Sequence, residues 1–195
     1  SLFQSMLKAM LEGFQLTGRG DFSRVATETL DYVAREMTFS GGGFYSATDA
    51  DSPALNGHDE EGLFFTWTPQ EIDNVLKDKT QSLLVKNYYG VTARGNFEGR
   101  SILNVTQPLD HIARALDLSL NEAMDLVDDA KTKLYDVRLT RKPPILDDKI
   151  IASWNGLMIS AFAKGAAVLG RDDYLRSAQK AAEFAMEKLW DGQRL

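Results

Sequence analysis

Asp147 and Asp148 stand side by side, with Lys149 directly after them and Trp154 and Asn155 a short way on. Glycoside hydrolysis needs two opposed carboxyl groups, one a protonated acid and the other a base or nucleophile. It also profits from a ring on which a sugar face can lie, and from amide or ammonium groups that hold hydroxyls. A second acidic, aromatic-flanked stretch lies upstream: Tyr45, then Asp49 and Asp51, then Glu61 and Trp67. Glu98 follows in a loop bounded by Gly95 and Gly99. If these stretches meet across one hollow, Asp49, Asp51, Asp147 and Asp148 are the candidate catalytic acids. Asp148 then serves as the acid and Asp49 or Asp51 as the base. Tyr45, Trp67 and Trp154 would form the stacking platform, and Glu61, Glu98, Lys149 and Asn155 the polar contacts to substrate. The plainer alternative is that the acids cap helices and the rings fill a core, with Glu98 paired to Arg100 at the surface.

The elements that must position these residues are mostly helical. Ile150, Trp154, Leu157, Met158, Ala161, Phe162, Gly165 and Leu169 recur at three- and four-residue spacing, which predicts a helix with a wide apolar face. Asp147 and Asp148 fall where carboxylates can cap its first turn. Upstream, Phe3, Met6, Leu7, Met10, Leu11 and Phe14 predict a first helix ending near Gly18. A second follows from a cap at Asp21, with Phe22, Val25, Ala26, Leu30, Val33 and Met37 inward. Thr68-Pro69-Gln70-Glu71 and Ser119-Leu120-Asn121-Glu122 read as capping boxes, the latter opening a long helix through Leu139. Asp172 is the expected cap of a last helix with Leu175, Ala178, Ala182, Ala185 and Leu189 inward. Phe44–Ala47 and Leu63–Trp67 read as two short strands, a small β-hairpin near residues 43–67. The acidic stretch between them is too long for a tight turn. Asp49, Asp51 and Glu60 match the first, third and twelfth places of a calcium loop, but Pro53 and Ala54 break the template. No metal site is expected. The class is mainly α, a single domain of helical hairpins.

Composition narrows the function classes. The chain has 195 residues, enough for a substantial core, and a formal charge of −6, which argues against a nucleic-acid partner. No apolar run suggests a bilayer span. Absence of cysteine removes thiolate chemistry and disulfides and leans toward the cytoplasm. Only His58 and His111 are present, too few for a multi-histidine metal site. No cofactor is expected. The chain opens inside one helical pattern and stops after another, so a segment of a longer protein is expected.

Taken together, four stretches carry a resemblance: Gly42-Gly43-Phe44-Tyr45-Ser46-Ala47-Thr48-Asp49-Ala50-Asp51-Ser52, Glu61-Gly62-Leu63-Phe64-Phe65-Thr66-Trp67, Gly95-Asn96-Phe97-Glu98-Gly99, and Asp147-Asp148-Lys149 through Asn155-Gly156-Leu157-Met158. The chain resembles the thioredoxin-domain-containing family that includes the spermatogenesis-associated and bacterial YyaL-type proteins. That resemblance implies part of an (α/α)6 toroid of the six-hairpin glycosidase kind, similar to the ring of N-acylglucosamine 2-epimerase and cellobiose 2-epimerase. It also implies a thioredoxin-like domain outside this stretch. The expected activity is glycosidase- or epimerase-like chemistry on a carbohydrate ligand, the alternative a non-catalytic, partner-binding scaffold. Self-association is expected from apolar faces that the missing hairpins would cover. Against the family pattern, residues Pro53 to Asp59 read as an insertion, and Asn104-Val105 stands where a His is expected. His58 and His111 match no epimerase catalytic histidine.

Overall fold

The computed structural model describes residues 2–53 and 59–193; His58, Ala54 and the Phe3 side chain, singled out above, lie outside the described residues. In chain order the elements are α1 (Leu2–Thr17), α2 (Gly20–Glu36), β1 (Ala47–Thr48), β2 (Asp51–Pro53), β3 (Asp59–Glu61), β4 (Thr66–Trp67), α3 (Pro69–Val75) and α4 (Lys79–Tyr88). They continue with β5 (Ser101–Ile102), α5 (Leu109–Ala115), α6 (Leu120–Leu139), β6 (Leu146–Asp147), α7 (Ala152–Leu169) and α8 (Asp172–Phe184), which runs into a π-helical turn over Ala185–Leu189. The protein is thus mainly helical, with a few short strand pairs. Among the described residues, no helix is long and apolar enough to cross a membrane.

The chain divides into two compact units, Ser1–Thr48 with Leu146–Leu195, and Asp49–Ile145. In the first, α1, α2, α7 and α8 bury Leu11, Leu30, Val33, Phe44, Phe162 and Tyr174 in one cluster. Gly165 lets α7 approach α2: a Cβ there would stand 2.6 Å from Leu30 Cδ1. The rings stack in series, Phe44 flat on Phe162 at 5.1 Å and Phe162 edge-on to Tyr174 at 5.7 Å, each pair adding about 1 kcal/mol beyond area burial. The inward face of α8 is Tyr174, Ala178 and Ala181; of the expected residues Ala178 and Ala185 are buried, whereas Leu175 is 43% exposed. Tyr174 shifts the register because its ring enters the core while its hydroxyl still reaches a partner.

That partner anchors α8. The Tyr174 hydroxyl donates to Asp31 Oδ1 at 2.7 Å, and Arg171 donates to Asp31 at 3.1 Å and to Asp173 at 2.6 and 2.8 Å. The Arg171 hydrogen bond holds the Asp173 carboxyl down at about 2 from 3.8. A depressed carboxylate contributes stability that is present above its unfolded pKa and lost as pH falls through the folded one. Urea stability of the first unit is therefore expected to fall as pH drops from about 4 toward about 2, and Arg171→Ala should flatten that limb. An unchanged acid limb in the variant would contradict the assignment.

In the second unit, α3–α6 enclose two apolar clusters. One joins Trp67, Ile72, Leu76, Val85, Ala130 and Leu134, the other Leu84, Tyr88, Ile112, Ala113, Ala123 and Val127. Both expected capping boxes are present: Thr68 Oγ1 accepts from Glu71 N while Glu71 accepts from Thr68 N, and Ser119 and Glu122 do the same. His111 is exposed.

Several expectations are corrected. The expected strands 44–47 and 63–67 do not pair with each other. β1 pairs with β6 (Ala47 opposite Asp147), β4 with β5 (Thr66 opposite Ile102), and β2 with β3 (Asp51 opposite Glu61), all antiparallel. The hairpin within 43–67 is therefore formed by the acidic stretch itself. The N-caps of α2, α7 and α8 are Arg19, Ile151 and Arg171, none with a side-chain cap. Asp21 pairs instead with Arg19 at 2.7 Å, and Asp147 is drawn into β6, four residues before the α7 cap.

Candidate functional site

The segment after α2 folds back on itself. Phe39 N–H donates to Gly43 O, Gly42 N–H to Phe39 O, and Tyr45 N–H to Met37 O. Gly42 has φ +119°, and a Cβ there would lie 2.6 Å from Lys180 O, so the turn requires glycine. Beyond it, Phe44 is held from α7 by the buried Asn155 amide. Asn155 Oδ1 accepts from Phe44 N at 2.7 Å, and Nδ2 donates to Phe44 O at 3.0 Å and Ile151 O at 3.1 Å. One side chain thus substitutes for a strand neighbour on both polar groups of Phe44. Ser46 donates to Asp147 O at 3.3 Å and continues the seam into the β1–β6 ladder.

This seam forms one wall of a cleft of about 470 Å³ in the first unit. Trp154 and Met158 from α7, Tyr32 and Val33 from α2, Gln4 from α1, and Tyr45 line it. Trp154 remains 37% exposed, a large ring with a face left to cover. Asn155 also borders the cleft, but both its N–H groups are already committed to backbone carbonyls. Its part is to position Phe44 and Tyr45. No lining residue among those described is charged.

The candidate acids occupy other positions. Asp147 accepts from Lys149 Nζ at 3.1 Å and from Lys149 N at 3.3 Å. The Lys149 hydrogen bond holds its carboxyl below the ordinary range, opposite to the shift that suits a general acid at neutral pH. Asp148 and Lys149 are exposed, and neither they nor Asp147 line the cleft. In the second unit Asp49, Asp51 and Glu61 are exposed on or beside the β2–β3 hairpin. Asp49 Oδ1 accepts from Asp51 N at 3.3 Å. Glu98 is exposed with φ +46°, at the tip of the turn closed by Phe97 and Arg100. It does not have Arg100 as its partner. Among the described residues, no group of three acidic or histidine side chains is arranged to hold a metal.

Arg100 instead reaches across the second unit to Glu71, at 2.7 and 2.9 Å, and to Thr66 Oγ1 and O. Arg141 donates to the carbonyls of Leu63, Phe64 and Thr66 and lies 3.9 Å from the Trp67 ring centroid. Trp67 is 3% exposed, so this ring is a core residue under a cation and offers no face to a sugar. Burial pushes the Glu71 carboxyl up. Hydrogen bonds from Arg100 and Thr68, with both arginine charges, outweigh it, and the carboxyl ends below its ordinary range. Burial also lowers Arg141, against the pull of Glu71. This network is a clamp on the 62–67 turn.

Sequence reasoning passed over Gln4, Tyr32, Arg100 and Arg141 as site or clamp residues. Gln4 carried a signal: it precedes the buried Leu7 and Leu11 on the same face of α1, where an apolar residue is the norm.

No protein-family model matches the chain. Human spermatogenesis-associated protein 20 is 35% identical over 202 residues, covering 94% of this chain and 26% of that protein. The rat protein of the same name is 32% identical, covering 92% of the chain and 25% of its own length. An uncharacterized Caenorhabditis elegans protein is 32% identical, covering 98% of the chain and 29% of its own length. The chain spans about a quarter of the length of the curated relatives it matches.

Proposed function

We propose that this chain is a stretch of a spermatogenesis-associated protein 20-type protein, part of an (α/α)6 toroid with a thioredoxin-like domain elsewhere, and that its first unit binds a carbohydrate. The cleft bounded by Trp154 and Tyr45 is the binding place. One observation carries the reading: a half-exposed indole and two tyrosines line a hollow of about 470 Å³. Small-molecule sites are concave and mostly apolar, with a few placed polar groups. A sugar ring supplies a C–H face for the indole and hydroxyls for the polar rim. Carbohydrate chemistry in the whole protein is the stronger form of this proposal. The cleft lining itself favours recognition, since none of the described residues in it is a carboxylate.

Neutral mono- and disaccharides screened by thermal shift should include at least one that raises the melting temperature, because a ligand of the folded state alone must stabilise it. Trp154→Ala should abolish that rise. A sugar that stabilises wild type and variant equally would remove the cleft from the account. A second reading, a non-catalytic scaffold that holds a partner or a second copy, is favoured by the exposed Leu16 (86%) and Met186 (56%) and by the local pairing of Asp147. It is the reading left if every sugar is silent.

A further inference from the structure

Resting on the carbohydrate reading, we infer that the cleft takes a glycoside with an apolar aglycone, the sugar against Trp154 and Tyr45 and the aglycone against Met37 and Ile151. The first ground is the way the lining divides by origin. The helices supply apolar side chains: Val33 from α2 with Met37 at its C-cap, and Ile151, Trp154 and Met158 from the start of α7. These last three are three and four residues apart, the spacing of a single helix face. The seam beyond Phe44 supplies the hydroxyls of Tyr45 and Thr48. A hollow walled in this way suits a molecule with one polar and one apolar part.

The second ground is accessibility. Val33 and Met158 are buried, whereas Met37 and Ile151 are half-buried and Trp154 is 37% exposed. Met37 and Ile151 thus keep apolar surface open in the same cleft as the indole. A free sugar presents hydroxyls all round its rim, and those turned toward a thioether or an aliphatic chain lose water without gaining a partner. An alkyl or aryl aglycone in that place gains free energy from its own burial. Two polar groups of the lining are already engaged with backbone: Ser46 donates to Asp147 O, and Asn155 bonds Phe44 through both amide atoms. A glycoside whose ring lies on Trp154 and whose aglycone covers Met37 and Ile151 uses both parts of the wall.

Isothermal titration calorimetry on the 195-residue chain tests this with the methyl, butyl and hexyl glycosides of glucose, mannose and galactose, below micelle-forming concentrations. 1-Hexanol serves as the aglycone alone. At least one of the three series should tighten about threefold per added methylene, the gain expected where a CH₂ leaves water for an apolar wall. Met37→Gln and Ile151→Thr, both close in volume to wild type, should each lower that gain. Threonine is also a favoured residue at the N-cap position that Ile151 holds. The wild-type series needs no variant, and a shift of the Trp154 indole N–H resonance with the hexyl glycoside places the site should a variant fail to fold. Equal affinity for methyl, butyl and hexyl glycosides, or a chain-length gain that either variant retains in full, overturns the inference while sugar binding stands. Silence of every glycoside, or hexanol bound as tightly as the hexyl glycosides, overturns the carbohydrate reading and this inference with it.

Discussion

Replacing Asn155 with Leu is expected to destabilise the first unit by about 3–5 kcal/mol and, on the carbohydrate reading, to remove sugar binding. The substitution is close in volume, so packing changes little. What it removes is the acceptor that Asn155 Oδ1 gives to Phe44 N–H and the Nδ2 donor to Phe44 O. Both groups are buried with Phe44 at 3% exposure, and each unpaired backbone group costs about 1–3 kcal/mol. The strain then passes to the Phe44–Phe162 stack and to Tyr45, the wall of the cleft. Asn155→Asp, which keeps an acceptor for Phe44 N–H but loses the donors, should fall short of wild type as well. Urea unfolding measures this directly. A loss under about 1 kcal/mol would mean that the amide is a bystander.

Arg141→Ala is expected to cost the second unit about 3–5 kcal/mol. Arg141 is the common donor to the carbonyls of Leu63, Phe64 and Thr66 and covers the face of Trp67. Its removal leaves two of those carbonyls without this donor; Thr66 O keeps Arg100 at 2.9 Å. Glu71 keeps Arg100 but loses the second cation, 3.6 Å away. Arg141→Lys should recover only part of the loss, because an ammonium cannot span three carbonyls as the planar fork does. Hydrogen exchange at the β4–β5 amides should quicken in both variants. Wild-type protection in Arg141→Ala would show that the turn is held by burial of Trp67 alone.

The contrast between these two side chains explains what could be read from the sequence. Thr68–Glu71 and Ser119–Glu122 were legible because a capping box is complete within four residues. The α7 core residues Met158, Ala161, Phe162 and Gly165 were legible because helical spacing is local. Arg141 carries no local sign of its role, because its partners lie about 75 residues upstream. Asp147 invites a reading as a cap; a strand partner about 100 residues away claims it instead. Strand pairing was misassigned for the same reason, since two-residue strands carry almost no periodicity. At the cleft, Tyr45, Trp154 and Asn155 stood out by type, and they come together. Gln4 did not stand out, because a lone polar residue on an apolar helix face gains meaning only when its missing partner is seen.

The central proposal is that Trp154 and Tyr45 hold a sugar in the first unit. It is tested most directly by titrating the ¹⁵N-labelled chain with neutral mono- and disaccharides and following the three indole N–H resonances. The account predicts a saturable shift of the Trp154 resonance with at least one sugar, while the buried Trp67 resonance stays in place. A Trp154 resonance unmoved by every sugar, or one that moves only in step with Trp67 and Trp190, would contradict it.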